Sequence, residues 1–281
     1  MMNRDSKLSQ RFWTEGKLTD CPIIDVHAHM HELLGGYINA PSPEEMLAMM
    51  DRAGTYVTLF CSHLALHCPE VGEQANLEPC QAYPSRFKAY HAVSSNHLHP
   101  QKDLERLEQY SQYYVGCKFL ADYYGVPLED PRHTPYWSYL NDHKLLALLH
   151  TWGGSRFDGV ENVRKVAERY PDIPLICGHS FHSDWEQGIA LGKEFPNVYF
   201  ELTAVADDRG VIERLVEGVG SQRLLFGTDL PWFSTYHGIG AVLSADLSDD
   251  DRRNIFYRNA ARLLRRFSWF QLDEEQLESH C

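Results

Sequence analysis

The chain has 281 residues, of which 43% are hydrophobic and 23% charged, a composition typical of a globular protein with a large core. Its formal net charge of −13 argues against non-specific binding to nucleic acid, and it lacks the run of about 18 to 20 apolar residues that a membrane span needs. Seven scattered cysteines without a CxxC pair, and an N-terminus without the apolar centre of a secretory signal, predict a reducing, cytoplasmic location.

Eight short apolar segments recur along the chain, and each is typical of a strand that is buried on both faces of a parallel sheet. They lie at residues 23–30, 55–62, 87–94, 115–121, 145–152, 174–181, 198–205 and 224–230. Stretches whose apolar residues have helical spacing alternate with these segments. They lie at residues 42–54, 99–112, 157–170, 184–195, 208–220 and 248–267, and residues 69–83 can also form a helix.

The stretch 42–54 carries the clearest helix-end signals. Ser42 is placed as an N-cap, Pro43 occupies the first helical position, Glu45 completes a capping box and Gly54 ends the helix.

Eight strand–helix units in one chain predict a single α/β domain that closes as a (β/α)8 TIM barrel. An open doubly wound sheet is the alternative, but no GxGxxG motif follows the first strand to support its dinucleotide-binding form. Residues 1–20 then form an N-terminal extension, residues 21–267 the barrel, and residues 268–281 an acidic C-terminal tail.

Polar side chains of the ligand or titratable type stand at the C-terminal ends of five predicted strands, where barrels of this kind place their catalytic groups. They are His27 and His29 on strand 1, Lys118 on strand 4, His150 on strand 5, His179 on strand 6 and Asp229 on strand 8. Residues i and i+2 of a strand point to the same side, so both strand-1 imidazoles can approach one ion. The strand-5 histidine and the strand-8 aspartate are placed to complete its coordination.

A single histidine in a strand is more often a hydrogen-bonded core residue than a metal ligand. The whole set is harder to explain by packing, because each buried ionisable group needs a partner that offsets its desolvation. One divalent ion meets that need for all of them. Three imidazoles and one carboxylate suit Zn²⁺, with Mn²⁺ or Fe²⁺ as alternatives.

The motifs at these strand ends resemble those of the amidohydrolase superfamily, in particular the amidohydrolase-related (amidohydrolase 2) group with aminocarboxymuconate semialdehyde decarboxylase and dicarboxylate lactonases. The resemblance covers residues 20–267. It is carried by "IIDVHAHMH", "VGCKF", "LLALLHTWGG", "PLICGHSF", "RLLFGTDLPW" and "YRNAARLL".

The resemblance implies that His27, His29, His150 and Asp229 bind one metal ion. It also implies that His179 is a free imidazole, which moves protons together with Asp229 in catalysis. We interpret Asp25 as a supporting residue deeper in the barrel.

Lys118 has three interpretations. In binuclear relatives a strand-4 lysine is carbamylated and bridges two metals, whereas in mononuclear relatives it can attract a substrate carboxylate. It can also simply pair with a neighbouring carboxylate. We favour one metal ion.

The loops at the barrel mouth supply further candidates for substrate contact. Arg156 and Arg209 can pair with a substrate carboxylate through their guanidinium groups, although a surface arginine is usually only solvated. Trp232 can form a flat apolar wall or belong to the core. His31 is expected at the pocket mouth.

The leading prediction is a metal-dependent hydrolase that acts on a small amide, ester or lactone through metal-activated water. The first alternative is a non-oxidative decarboxylase that uses the same ligands. A TatD-like nuclease is disfavoured by the acidic charge and by Lys118, and a barrel without catalysis is disfavoured because all expected ligands are present. Partners other than a small substrate are not expected, except that the resemblance is compatible with a homodimer.

Overall fold

Eight parallel strands follow one another around the sheet in the order of the sequence. A computed structural model describes residues 6–33, 36–205 and 208–272. The strands are β1 (Ile23–Ala28), β2 (Thr55–Phe60), β3 (Phe87–Val93), β4 (Tyr114–Phe119), β5 (Leu146–Trp152), β6 (Leu175–His182), β7 (Val198–Glu201) and β8 (Leu224–Leu225). Almost all of their residues are buried, because helices cover the outer face and side chains fill the inside. The predicted (β/α)8 barrel is confirmed.

The helices lie between the strands and around them. They are α1 (Lys7–Glu15), α2 (Pro43–Ala53), α3 (His63–His67), α4 (Pro69–Ala82), α5 (Pro100–Gln109), α6 (Ala121–Tyr124), α7 (Thr134–His143), α8 (Val160–Arg169), α9 (Trp185–Glu194), α10 (Val211–Val219), α11 (Thr235–Ser244), α12 (Asp249–Arg253) and α13 (Asn259–Leu264). A π-helical turn, Asn254–Arg258, joins the last two, so the long predicted final helix is continuous but irregular. The seven predicted helices all exist, whereas α1, α3, α6, α7 and α11 were not predicted.

The first predicted helix illustrates how the local signals act. The Ser42 hydroxyl accepts the Glu45 N–H at 3.2 Å, and the Glu45 carboxylate accepts the Ser42 N–H at 2.8 Å. Gly54 ends α2 with a left-handed φ of 85°. The capping box and the glycine stop therefore form as the sequence predicts.

The barrel closes where β1 meets the segment that follows β8. The backbone N–H of Val26 donates to Phe226 O at 3.0 Å, and the N–H of Asp229 donates to His27 O at 2.7 Å. Regular pairing of β8 with β7 ends at Leu225, well before the predicted end at residue 230. The reason is that the N–H and hydroxyl of Thr228 bind the Asp25 carboxylate and Asp229 adopts a left-handed φ of 53°.

The two chain ends that were set apart from the barrel pack against it within the described residues. In α1, Leu8 and Phe12 are buried in the core, and the Asp249 carboxylate accepts the Lys7 N–H at 2.9 Å. After the last helix, Phe270 packs edge-on against Tyr56. None of the described helices has the length and apolar character that a membrane crossing requires.

Candidate metal centre

Four strand ends and the segment after β8 bring polar side chains together at one end of the barrel. The residues that line the same cavity there are His27, His29, Lys118, His150, His179 and Asp229. All six had been predicted as site residues. All but His150 are buried; its side chain is 11% exposed.

Three of the imidazoles are held through their Nδ1 atoms. His27 Nδ1 donates to Glu201 Oε2 at 2.8 Å, and His150 Nδ1 donates to Asp158 Oδ2 at 2.8 Å. His29 Nδ1 donates to the backbone carbonyl of Cys61 at 2.8 Å. A carboxylate or a carbonyl can only accept, so the proton lies on Nδ1 and the lone pair on Nε2.

Asp229 faces the two imidazoles of β1. Its Oδ1 lies 3.0 Å from His29 Nε2 and 3.3 Å from His27 Nε2. Burial raises the pKa of this carboxyl, but His27, His29 and His179 lower it more, so the pKa lies well below its usual value. Asp229 is therefore an ionised carboxylate at the point where the two imidazole lone pairs converge.

His179 differs from the other three histidines. Its Nδ1 is buried and has no hydrogen-bond partner among the described residues. The backbone is left-handed at His179, Ser180 and Phe181, with φ of 65°, 49° and 57°. Such conformations cost roughly 1–3 kcal/mol each and persist only where the surroundings enforce them.

The donor set suits a divalent cation. One ligand atom each from His27, His179 and Asp229 lies within 4.8 Å of the others. Burial lowers the pKa of His27 well below its usual value and that of His179 to about 3, so both imidazoles are neutral, as ligands must be. This closest trio contains His179 where the resemblance implies His150. We favour His150 as the ligand, because its Nδ1 is held as in the two β1 histidines.

Lys118 is buried at the floor of the cavity. Its Nζ lies 3.1 Å from His27 Nε2. Burial lowers the pKa of Lys118 below its usual value, and Asp229 and other nearby acidic groups offset this only in part. The amine and a metal ion would share one imidazole lone pair, so Lys118 must contact something else when a metal is bound.

Three supporting carboxylates, Asp25, Glu201 and Asp158, belong to the site, and only Asp25 was expected. Asp25 accepts the His27 N–H at 3.1 Å and the Thr228 hydroxyl at 2.6 Å, so it supports the backbone of β1, as expected. Glu201 was not singled out from the sequence. The available signal was a glutamate within an apolar strand segment, because a glutamate buried there must have a partner.

Glu201 fits because the opposite backbone leaves room for it. Gly227 lies so close that a Cβ there would stand 2.2 Å from Glu201 Oε1. No larger residue can occupy position 227 while Glu201 keeps this place.

Apolar side chains form most of the rest of the cavity, whose volume is about 190 Å³. They are Leu33, Leu66, Leu120, Tyr123, Trp152, Ala204, Trp232 and Phe233. His63 and His67 also line the cavity, and His63 is buried and stacks on His29, with ring centroids 4.7 Å apart. Its Nε2 accepts the indole N–H of Trp232 at 3.3 Å, which fixes this wall.

The loop arginines lie elsewhere. Arg156 and Arg209 are exposed, and within the described part of the chain neither lines the cavity. Their predicted contact with a substrate carboxylate finds no support, because both side chains lie in solvent. His31, expected at the mouth, does not line the cavity; its Nδ1 lies 3.1 Å from the Ser62 hydroxyl.

The fold is a (β/α)8 barrel, and imidazoles and a carboxylate gather at the C-terminal ends of its strands. This combination is typical of metal-binding barrel enzymes. The chain belongs to the amidohydrolase family, whose model, described as "Amidohydrolase", matches residues 24–266. The predicted resemblance is thereby confirmed. No functionally curated protein sequence is similar enough to count as a match.

Solved structures with the same fold include three decarboxylases. Dihydroxybenzoic acid decarboxylase from a Polaromonas species, with bound manganese and 2-nitroresorcinol, has a TM-score of 0.70 at 16% identity, covering 90% of this chain and 100% of that chain. 2,6-Dihydroxybenzoate decarboxylase from Rhizobium has a TM-score of 0.67 at 16% identity, covering 86% and 98%. 5-Carboxyvanillate decarboxylase from Sphingomonas paucimobilis has a TM-score of 0.66 at 12% identity, covering 87% and 99%.

Proposed function

We propose that this protein is a metal-dependent, non-oxidative decarboxylase of a small carboxylic acid. The observation that carries the proposal is the division of the cavity into a polar floor of imidazoles, Asp229 and Lys118 and apolar walls. A substrate carboxylate suits the floor and its carbon skeleton suits the walls. Three proteins with the same fold are decarboxylases, which supports this choice. The proposal therefore adopts the alternative that the sequence analysis gave and sets aside its leading prediction, hydrolysis.

His27, His29, His150 and Asp229 would hold one divalent ion. The donor set suits Zn²⁺, and the manganese in the Polaromonas structure makes Mn²⁺ the second candidate. When bound, the ion would neutralise the substrate carboxylate and polarise it. Anomalous scattering at the metal edges would identify the ion, and a second ion beside Lys118 would replace this assignment by a carbamylated, binuclear site.

The reaction needs one proton at the substrate carbon. The bond from that carbon to the carboxyl group breaks, the electron pair stays on the carbon, and the carbon takes up a proton, so that R–COO⁻ and H⁺ give R–H and CO₂. His179 and Asp229 both line the cavity, and we assign to this pair the relay of the proton to the carbon, with His179 as its carrier. The ammonium group of Lys118 would attract the substrate carboxylate, and the apolar walls would exclude water.

The test is to incubate the metal-loaded protein with a panel of aromatic and aliphatic carboxylic acids, lactones and esters. CO₂ release and acid release are followed separately. We expect CO₂ without net hydrolysis for at least one acid. Acid release from lactones or esters with no CO₂ from any acid would overturn the proposal.

Hydrolysis of a small ester, lactone or amide is the second candidate function. It is favoured by the pairing of a buried imidazole, His179, with an ionised carboxylate, Asp229, beside the candidate metal site. Those two groups can orient and deprotonate water as well as deliver a proton.

A further inference from the structure

Two buried carboxylates stand behind the candidate metal ligands. We propose that Glu201 and Asp158 are positioning residues, which hold His27 and His150 in the tautomer and orientation that offer Nε2 to the metal. The inference rests on the metal site proposed above and adds to it the residues that set its affinity.

Glu201 is built to remain a carboxylate acceptor. Its Oε2 receives His27 Nδ1–H at 2.8 Å and the backbone N–H of His179 at 3.3 Å. Its Oε1 receives the backbone N–H of Thr203 at 2.6 Å and also the Thr203 hydroxyl. Each oxygen thus faces two donors. A glutamine would have to turn its NH₂ group towards one of these pairs, and the hydrogen bonds could not all survive.

Asp158 has the same relation to His150, although it comes from a different part of the fold. It lies just before α8 and is fully buried. Its Oδ2 receives His150 Nδ1–H at 2.8 Å and the Asp122 N–H at 3.2 Å. The two carboxylates therefore act on separate ligands, one from β7 and one from the segment after β5.

The other two histidines supply the contrast. His29 Nδ1 is held by a backbone carbonyl, so no side-chain change removes its partner. His179 Nδ1 has no partner in the described part of the chain. The three histidines that we assign as metal ligands thus each have a hydrogen-bonded Nδ1. His179, which we assign to proton transfer, has no such bond among the described residues.

The competing explanation is that both carboxylates only stabilise the fold. Two readouts separate it from positioning. The first is the imidazole ¹⁵N–¹H correlation spectrum of the metal-free protein, which reports the tautomer of each ring. The second is the affinity for Zn²⁺ and Mn²⁺, measured by competition with a chromophoric chelator on folded protein.

The variants are Glu201→Gln and Asp158→Ala, with Asp103→Asn and Asp103→Ala as the matched controls. Asp103 is a largely buried carboxylate that binds the Tyr136 hydroxyl and lies outside the site. We expect each site variant to lose the Nδ1–H signature of its own imidazole and to bind metal about 10- to 100-fold more weakly. The controls should change neither the signals of the site imidazoles nor the metal affinity, and any spectral change should be confined to His91 beside Asp103.

If Glu201→Gln does not fold, Glu201→Asp replaces it, since the shorter carboxylate should still weaken the contact with His27. Folded site variants with wild-type imidazole spectra and wild-type metal affinity would overturn the proposal. A wild-type protein that binds neither Zn²⁺ nor Mn²⁺ would instead overturn the proposed function. In that case unchanged imidazole spectra would still count separately against the positioning role.

Discussion

At the scale of single residues, the four histidines at the floor of the cavity differ in what their Nδ1 atoms contact. Those of His27, His29 and His150 donate to fixed acceptors, whereas that of His179 has no hydrogen-bond partner among the residues that the structure describes. An imidazole with a fixed Nδ1–H is ready to bind a metal through Nε2. One without such a contact is better suited to carry a proton in and out of the site.

This difference yields a paired prediction for His179→Asn and His150→Asn. The first variant should retain stoichiometric metal and lose about 10²- to 10⁴-fold in turnover, the range of general acid–base catalysis. The second should lose the metal itself. Metal analysis of the purified proteins, with turnover of the substrate found in the panel, measures both. The reverse pattern would show that His179 is the ligand, as the closest trio of donor atoms suggests.

Residue patterns in the sequence identified the six polar side chains of the cavity, because each ends an apolar strand. Glu201 and Asp158 were not identified, although both are fully buried. Glu201 looked like one polar residue within an apolar segment, and Asp158 looked like part of a helix start. Glu201 reaches His27 from a strand 174 positions away along the chain, and Asp158 reaches His150 through the shape of the loop between β5 and α8. Local sequence encodes neither contact.

At the scale of elements, the strands were predictable because burial on both faces makes them continuously apolar. Helices α7 and α11 were not. In α7, Trp137 stacks on Phe119 with ring centroids 3.9 Å apart, so aromatic contacts replace a regular aliphatic stripe. In α11, Gly238 lowers helix propensity, but a Cβ there would stand 3.2 Å from the Phe226 ring. Close packing outweighs propensity at this position.

The end of α7 allows a test of element stability. Lys144 caps this helix in a left-handed conformation with φ of 52°, and its side chain is exposed. Lys144→Gly should stabilise the protein by about 0.5–1 kcal/mol, because glycine adopts this conformation without steric cost. For a chain of this size the melting temperature should rise by roughly 1–4 °C.

Lys144→Ala is the control, since it removes the same side chain but keeps the Cβ. It should give no such rise in melting temperature. Equal stabilisation by both variants would show that the lysine side chain, and not the backbone conformation, is responsible.

At the scale of the whole molecule, the proposed ligands join the start, the middle and the end of the chain. They come from β1, β5 and the segment after β8, and the first and last of these meet where the barrel closes. A metal that binds only the folded protein raises its free energy of unfolding by RT ln(1 + [L]/Kd), where [L] is the free metal concentration. At a free metal concentration of about 100 times Kd this amounts to roughly 2.7 kcal/mol.

Removal of the metal with a chelator should therefore lower the melting temperature by several degrees and abolish turnover. Adding back Zn²⁺ or Mn²⁺ should restore both, and scanning calorimetry with a turnover assay measures the two effects. His150→Asn is the control, since its melting temperature should not respond to either treatment. A wild-type melting temperature that is indifferent to chelator and metal would contradict a folded-state metal site.

The close approach of Gly227 to Glu201 has a consequence for how this protein can diverge. The two positions must change together, because a side chain at 227 would occupy the volume of the Glu201 carboxylate. A lineage can enlarge residue 227 only after it has shortened residue 201, and that earlier step removes the acceptor of His27. Among natural variants, an alanine or serine at 227 should thus accompany a small residue at 201 and mark branches that have changed their chemistry.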